Sequence, residues 1–198
     1  MSAGEGRLAG QQSLRLDLAL IHYPVCDRRR EVIGSAVTNL DLHDLARAGK
    51  TYGVRNFFVV TPFAEQRRLV EELVAHWRLG HGARYNQDRG QALALITVCP
   101  ALTDVFGHLA GQGEGRPLTV ATSARPREHS LPYAVLRRRL WDGEPCLLLL
   151  GTGWGLAPEV LSQVDEILPP VGGGGDYNHL SVRSAGAIIL DRLLGDRV

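Results

Sequence analysis

Lysine is almost missing from this 198-residue chain: Lys50 stands alone, and every other basic residue is arginine. A phosphate loop of the GxxxxGK[ST] type, which needs a lysine after its glycines, does not occur. Charge of one sign is lacking too. The formal net charge is +1, so no global field draws the protein to nucleic acid or membrane. Cysteine is scarce: Cys26, Cys99 and Cys146 are odd in number and far apart. Without a CxxC pair they indicate neither a zinc site nor a disulfide framework, and they suit a reducing cytoplasm. No HExxH occurs, and no metal is expected. A GxGxxG after the first strand and a GxSxG elbow are both missing, which argues against a Rossmann-type dinucleotide site and a serine hydrolase. No apolar run approaches the ~20 residues that cross a bilayer, so no membrane partner is expected. Residues 1–13, MSAGEGRLAGQQS, lack the apolar core of a signal peptide and read as a disordered lead-in. Residues 14–198 then form one domain, long enough to bury roughly 70% of its extended surface.

What the chain does have centres on Cys146 to Glu159, CLLLLGTGWGLAPE. Five apolar residues predict a strand buried on both faces, as in a parallel sheet. The run stops at Gly151, Gly153 and Gly155, where the backbone must turn tightly or approach something closely. Ala157-Pro158-Glu159 opens a helix, with proline where its missing donor costs little. Further strands are predicted at Leu14 to His22, Phe57 to Thr61, Ile96 to Cys99, Leu118 to Thr122 and Glu166 to Leu168. Helices are predicted after the caps Thr38 and Asn39 as far as Thr51 or Tyr52, over Ala64 to Trp77, Gln91 to Leu95, Leu102 to Leu109, Pro132 to Leu140 and Leu180 to Leu194. In the first, Leu42, Leu45, Ala46 and Gly49 make the packing face, with Asp41, Asp44 and Arg47 elsewhere. Ala64 to Trp77 is the clearest amphipathic helix, through Leu69, Val70, Leu73, Val74 and Trp77. The closing helix turns Val182, Ala185, Ile188, Ile189 and Leu193 or Leu194 inward, and its small residues Ser184 to Ala187 let another backbone come close. Cys26 to Ile33 is a charged loop or hairpin. The alternation predicts one α/β domain with a largely parallel sheet.

Polar residues collect at Asn39 to Arg47, Thr122 to Arg125, Gly151 to Gly155 and Asp176 to Arg183. Backbone donors in the glycine stretches suit a ligand such as a nucleoside, which needs an apolar slot and a few N–H and C=O groups but no lysine. Leu168, Leu180 and Trp154 are candidates to line it. Arg47, Arg125 and Arg183 are candidates to face a phosphate or carboxylate.

Three stretches together resemble the SPOUT class of RNA methyltransferases. In its first motif, an Asn is followed six residues later by Arg and then by FG. LDLHDLARAGKTYGV has Asp41 and Arg47 at these places and Tyr52-Gly53 for FG. The second is a strand ending in a G-x-x-x-G-L loop, matched by LLLLGTGWGLAPEV. The third, an I-P segment followed by SLNVSVAAAI, is matched by Ile167-Leu168-Pro169 and HLSVRSAGAI. IHYPV, TSAR and GDYNHLSVRSA add a similarity to a narrower bacterial set of RNA methyltransferases of this class, over nearly the whole chain after about residue 15. This resemblance implies a C-terminal trefoil knot and a homodimer in which two subunits complete each site. It implies S-adenosylmethionine (SAM) as cofactor, held by Thr122, Ser123, Leu150, Gly151, Thr152, Gly153, Gly155, Leu168, His179, Leu180 and Ser184. It also implies an RNA substrate, tRNA or rRNA, with Arg47 the first catalytic candidate and Asn39, Ser181 and Arg183 behind it. The chain departs from the pattern at Asp41 for Asn, Ser181 for Asn and Arg183 for Ser. Two alternatives stay open: an RNA-associated module that binds SAM without turnover, and a methyltransferase acting on a small molecule.

Overall fold

The computed structural model describes residues 14–113, 115–173, 175 and 177–196; the expected lead-in 1–13 lies outside them. The chain runs β1 (Leu16–Ile21), β2 (Val25–Cys26), β3 (Val32–Ile33), α1 (Asn39–Thr51), β4 (Phe57–Val60), α2 (Ala64–Arg78), α3 (His81–Tyr85), α4 (Gln87–Leu93), β5 (Ile96–Cys99) and α5 (Leu102–Gly111). It continues through β6 (Leu118–Ala121), α6 (Tyr133–Trp141), β7 (Cys146–Gly151), α7 (Pro158–Leu161), β8 (Glu166–Ile167) and α8 (Val182–Leu194). Six strands form one parallel sheet in the order β5-β4-β1-β7-β6-β8. β2 and β3 make a separate antiparallel hairpin, one of the two forms expected of Cys26 to Ile33.

The sheet is covered on both faces, which is why its strands are apolar without alternation. Along β7, Leu148 and Leu150 join Leu16, Leu18, Leu20, Phe57, Val59 and residues of α1, α6 and α8 on one side. Leu147 and Leu149 join Ala19, Ile21, Phe58, Val60 and residues of α5 and α7 on the other. Each fully buried leucine contributes about 2 kcal/mol relative to exposure. β1 and β7 pair from Leu16 with Cys146 to Ile21 with Gly151, so their carboxyl ends lie side by side.

Two helices differ from their predicted faces. α2 buries only Val70 fully, and Leu69 is 43% exposed. The helix packs against α3, α4 and the edge strand β5, so its apolar stripe meets a narrow surface. In α8, Ile188 points outward while Ile189, Leu190 and Leu193 are buried. The close approach expected at its small residues is real. A Cβ on Gly186 would stand 2.5 Å from Leu45 Cδ2 and 3.4 Å from Leu150 Cδ1, so this glycine lets α8 seat against α1 and β7. The region after α2 also holds two short helices, α3 and α4, where a loop and one short helix were expected.

The amino end of the sheet is closed by ion pairs. Asp17, fully buried, accepts from Arg55 Nη2 at 2.6 Å and from Asn56 Nδ2 at 2.8 Å. Arg116 meets Asp165 at 3.1 Å. Arg139 holds Glu144 through two nitrogens at 2.6 and 2.7 Å.

Candidate active site

The carboxyl ends of β1, β6 and β7 open into a cavity of about 740 Å³. In open parallel sheets ligands gather at such a place, where the chain leaves the sheet in opposite directions from adjacent strands. The loop after β7 makes its floor. Gly153 and Gly155 have φ of 59° and 105°, in the left-handed region that glycine tolerates. A Cβ on Gly151 would lie 2.6 Å from the Leu156 amide nitrogen, and one on Gly153 would lie 2.9 Å from the Cys26 carbonyl oxygen. At Gly155 a Cβ would enter open space, so the glycine there serves the backbone turn.

The β2–β3 hairpin is joined to this loop through the main chain. Cys26 N–H donates to Gly155 O at 2.8 Å, Trp154 N–H to Cys26 O at 2.9 Å, and Ala157 N–H to Pro24 O at 3.3 Å. Below the loop, Thr152 Oγ1 donates to Ile21 O at 2.9 Å and shares a short hydrogen bond with Ser35 Oγ. Ser35 Oγ is in turn 3.0 Å from His22 Nδ1. His22 is fully buried, and burial pushes its pKa down to about 4, partly opposed by the charge of Asp41. It is therefore neutral, and its Nε2 has no hydrogen-bond partner among the described residues.

The other walls are the loop after β6 and the segment before α8. Ser123 Oγ donates to Arg125 O and accepts from Arg125 N–H, both at 3.1 Å, which fixes the turn after Thr122. Asn178 Nδ2 donates to Ala124 O at 2.8 Å and ties the two walls together. Trp154 and His179 meet edge to face at the mouth, with ring centroids 5.5 Å apart, and Tyr177 stands 5.7 Å beyond His179.

Of the residues expected to hold the cofactor, Thr122, Ser123, Leu150, Gly151, Thr152, Gly153, Gly155, His179 and Leu180 all line this one cavity. Leu168 and Ser184 do not. Leu168 is buried in the core beneath. Ser184 is exposed at the start of α8, where its N–H donates to the capping Ser181 Oγ at 3.3 Å. Of the catalytic candidates, Ser181 and Arg183 line the cavity, whereas Asn39 and Arg47 do not. Both lie on the exposed side of α1. Arg47 stands six residues, or about 9 Å of helix, beyond Asp41.

Asp41, expected only to lie off the packing face of α1, is 7% exposed and lines the cavity. It accepts from Thr38 Oγ1 at 2.7 Å and from Arg183 Nη1 at 3.1 Å. Arg183 Nε also lies 3.4 Å from Asp44 Oδ2. Two departures from the class pattern thus face each other: the added acid of α1 meets the added base of α8. His22 and Ser35 were not singled out in the sequence. His22 appeared in the sequence only as the end of a central strand and within IHYPV.

A group such as SAM fits these residues. The cavity combines apolar walls from Leu150, Leu156, Val182 and Ile189 with hydroxyls from Thr122, Ser123 and Thr152 and a floor of Gly151, Gly153 and Gly155. Among the described residues no metal-binding cluster is found. Nor is any helix among them long and apolar enough to cross a membrane.

Comparison with known proteins agrees with the fold. The chain is 45% identical over 178 residues to a tRNA (guanine-N(1)-)-methyltransferase of Nitratidesulfovibrio vulgaris, a match covering 90% of this chain but only 41% of that protein. It is 36% identical over 177 residues to an uncharacterized protein of Aquifex aeolicus, covering 89% of this chain and 86% of that one. The fold is similar to that of the SpoU methyltransferase AviRb from Streptomyces viridochromogenes, with a TM-score of 0.60 at 15% identity over 93% of this chain and 60% of that one. A further structure of AviRb, in complex with AdoMet, gives a TM-score of 0.57 at 16% identity, covering 92% of this chain and 58% of that one. The family described as SAM-dependent RNA methyltransferase matches residues 15–195, and the chain belongs to it.

Proposed function

We propose that this domain moves the methyl group of SAM to a nucleotide of tRNA or rRNA and works as a homodimer. The observation that carries the reading is the convergence of the loops after β6 and β7 and the segment before α8 on one cavity at the carboxyl end of the sheet. Bound there, SAM supplies an electrophilic methyl group on a sulfonium that is its own leaving group. The chain's residues bind and orient it. Leu150, Leu156, Leu180 and Ile189 give the apolar slot, the 151–155 backbone and Thr122 the polar edge. Ser181 and Arg183 face the open side, where a nucleotide enters.

Arg47 and Asn39 act across the dimer in this reading. The exposed stripe Leu40, Asp44, Arg47 and Thr51 of α1 supports it, since Leu40 is 60% exposed. From its own cavity Arg47 is turned away, so its guanidinium would serve the partner's. An arginine holds its proton at any working pH, so Arg47 orients a phosphate or hydroxyl and does not act as a free base. The expected trefoil knot belongs to the same proposal. The seating of α8 against α1, α6 and β7 supports a last helix held within the fold.

The whole-protein activity of the Nitratidesulfovibrio relative does not transfer directly. This chain spans about two-fifths of it, so the guanine-N1 activity in its name can reside in the remaining part. tRNA is the first substrate to test because that relative acts on it. The experiment is transfer of labelled methyl from SAM to total RNA from cells lacking this protein. Incorporation into one RNA species is expected, and Arg47→Ala should abolish it. An equal mixture of R47A and a cofactor-site variant should recover part of it if sites are shared. No SAM binding by calorimetry would overturn the reading. SAM binding without transfer to any RNA would leave the non-catalytic module.

A further inference from the structure

Beside the cofactor cavity lies a second groove of about 490 Å³, lined by Arg30, Arg125, Pro126, Arg127, Leu156, Pro158, Leu161, Ser162 and Ile167. Its three arginines also line the cofactor cavity, so the two spaces meet along a basic rim. Among the described residues no carboxylate lines the groove. Among the described residues none of the three arginines forms a salt bridge, although the other cavity arginine, Arg183, is held by Asp41 and Asp44. Asp27, one of the hairpin's two acids with Glu31, is engaged by the turn. Its Oδ1 accepts from Arg29 N–H at 2.8 Å and Glu31 N–H at 2.9 Å.

Arg30 is held there at a backbone cost. Its φ is 72°, and it is the one described non-glycine residue with positive φ. It occupies the left-handed position that closes a three-residue hairpin turn, where glycine is the default. A larger residue there costs about 1 kcal/mol or more. The turn would form more readily with glycine, and what arginine adds is a guanidinium over the groove. Arg125 is set by its own device, the pair of hydrogen bonds to Ser123 Oγ.

We propose that this groove binds phosphodiesters of the RNA strand flanking the methylated nucleotide, with Arg30, Arg125 and Arg127 as the contacts. The inference rests on the reading that the domain acts on RNA. Three forked donors free of carboxylates match phosphate oxygens. The rim shared with the cofactor cavity puts the strand next to the methyl donor. With a net charge of only +1, affinity for RNA must come from such a local cluster.

The test uses the full chain and a fluorescent single-stranded (U)12 RNA, with Kd measured at several salt concentrations. Each phosphate contact on a single strand contributes about 0.7 to the slope of log K against log salt. The triple variant R30A/R125A/R127A should therefore lose about 2 from the slope. R30K/R125K/R127K, which keeps the charge, should retain most of it. SAM affinity by calorimetry should be unchanged in both, which also reports correct folding. A wild-type slope in the alanine variant would overturn the proposal. So would a loss of SAM affinity with unchanged RNA binding, which would assign the arginines to the cofactor's carboxylate. If wild type transfers methyl to RNA while the alanine variant binds and methylates equally well, only this groove is refuted. If wild type neither binds nor methylates RNA, the RNA reading itself falls and the groove with it.

Discussion

The two ends of the sheet use arginine in opposite ways. At the amino end Arg55, Arg116 and Arg139 each meet a carboxylate within about 3 Å, and the charges serve to close the fold. At the carboxyl end Arg30, Arg125 and Arg127 meet none among the described residues, although they cost as much to place. One residue type thus does structural work where it is neutralised and is available to a ligand where it is not. Arg183 stands between the two cases, lining the cavity while tied to Asp41 and Asp44.

The sharpest way to break this contrast is to alter the carboxyl end without touching a charge. Gly151→Ala puts a methyl group 2.6 Å from the Leu156 nitrogen, so the loop must move. An error of about 1 Å in placing a reactant costs on the order of 100-fold in rate. Labelled-methyl transfer should fall by about that factor, with weaker SAM binding by calorimetry. The amino end should answer differently. Asp17→Ala removes the buried carboxylate that accepts from both Arg55 and Asn56 and should cost about 3 kcal/mol, a fall of about 6–12 °C in Tm for a chain of this length. SAM affinity of the molecules still folded should be unchanged, and a parallel loss of affinity would show that the two ends are not independent.

His22 sharpens the contrast through pH. Its folded pKa, about 4, lies below the unfolded value of 6.5, so between them the unfolded chain binds the extra proton. Stability then falls as pH drops from about 6.5 to about 4, by up to about 3 kcal/mol, and this contribution is absent above pH 6.5. His22→Asn, which cannot titrate, should flatten that part of a denaturant-stability profile, and an unchanged profile would place the proton elsewhere. The smallest effect is expected where Arg183, a third exposed, has a second acid in Asp44: Asp41→Asn should cost about 1 kcal/mol in stability, a Tm shift of a few degrees at most by calorimetry.

Much of this was legible in the chain because it depends on local pattern. β7 declares itself, since a strand covered on both faces has to be apolar throughout, and the glycines that follow mark where the floor of the cavity turns. The place of Asp41 in the cavity was not legible because its position on the helix face says nothing of Arg183, which is 142 residues away. α2 carried a strong stripe yet meets only the sheet's edge, and periodicity reports which face is apolar without reporting how much surface awaits it. The backbone conformation of Arg30 gave no signal, because left-handed backbone is ordinarily announced by glycine.

The main-chain bonds between the β2–β3 hairpin and the 152–157 loop have a thermodynamic consequence. Whatever stills the hairpin also stills the cofactor loop, since Cys26 bonds to both Trp154 and Gly155. A strand gripping Arg30 would then leave less disorder for the methyl donor to remove, and each ligand would raise the other's affinity by one common factor. Spent cofactor leaving the loop would loosen the hold on the modified strand by that same factor, giving product release a built-in direction.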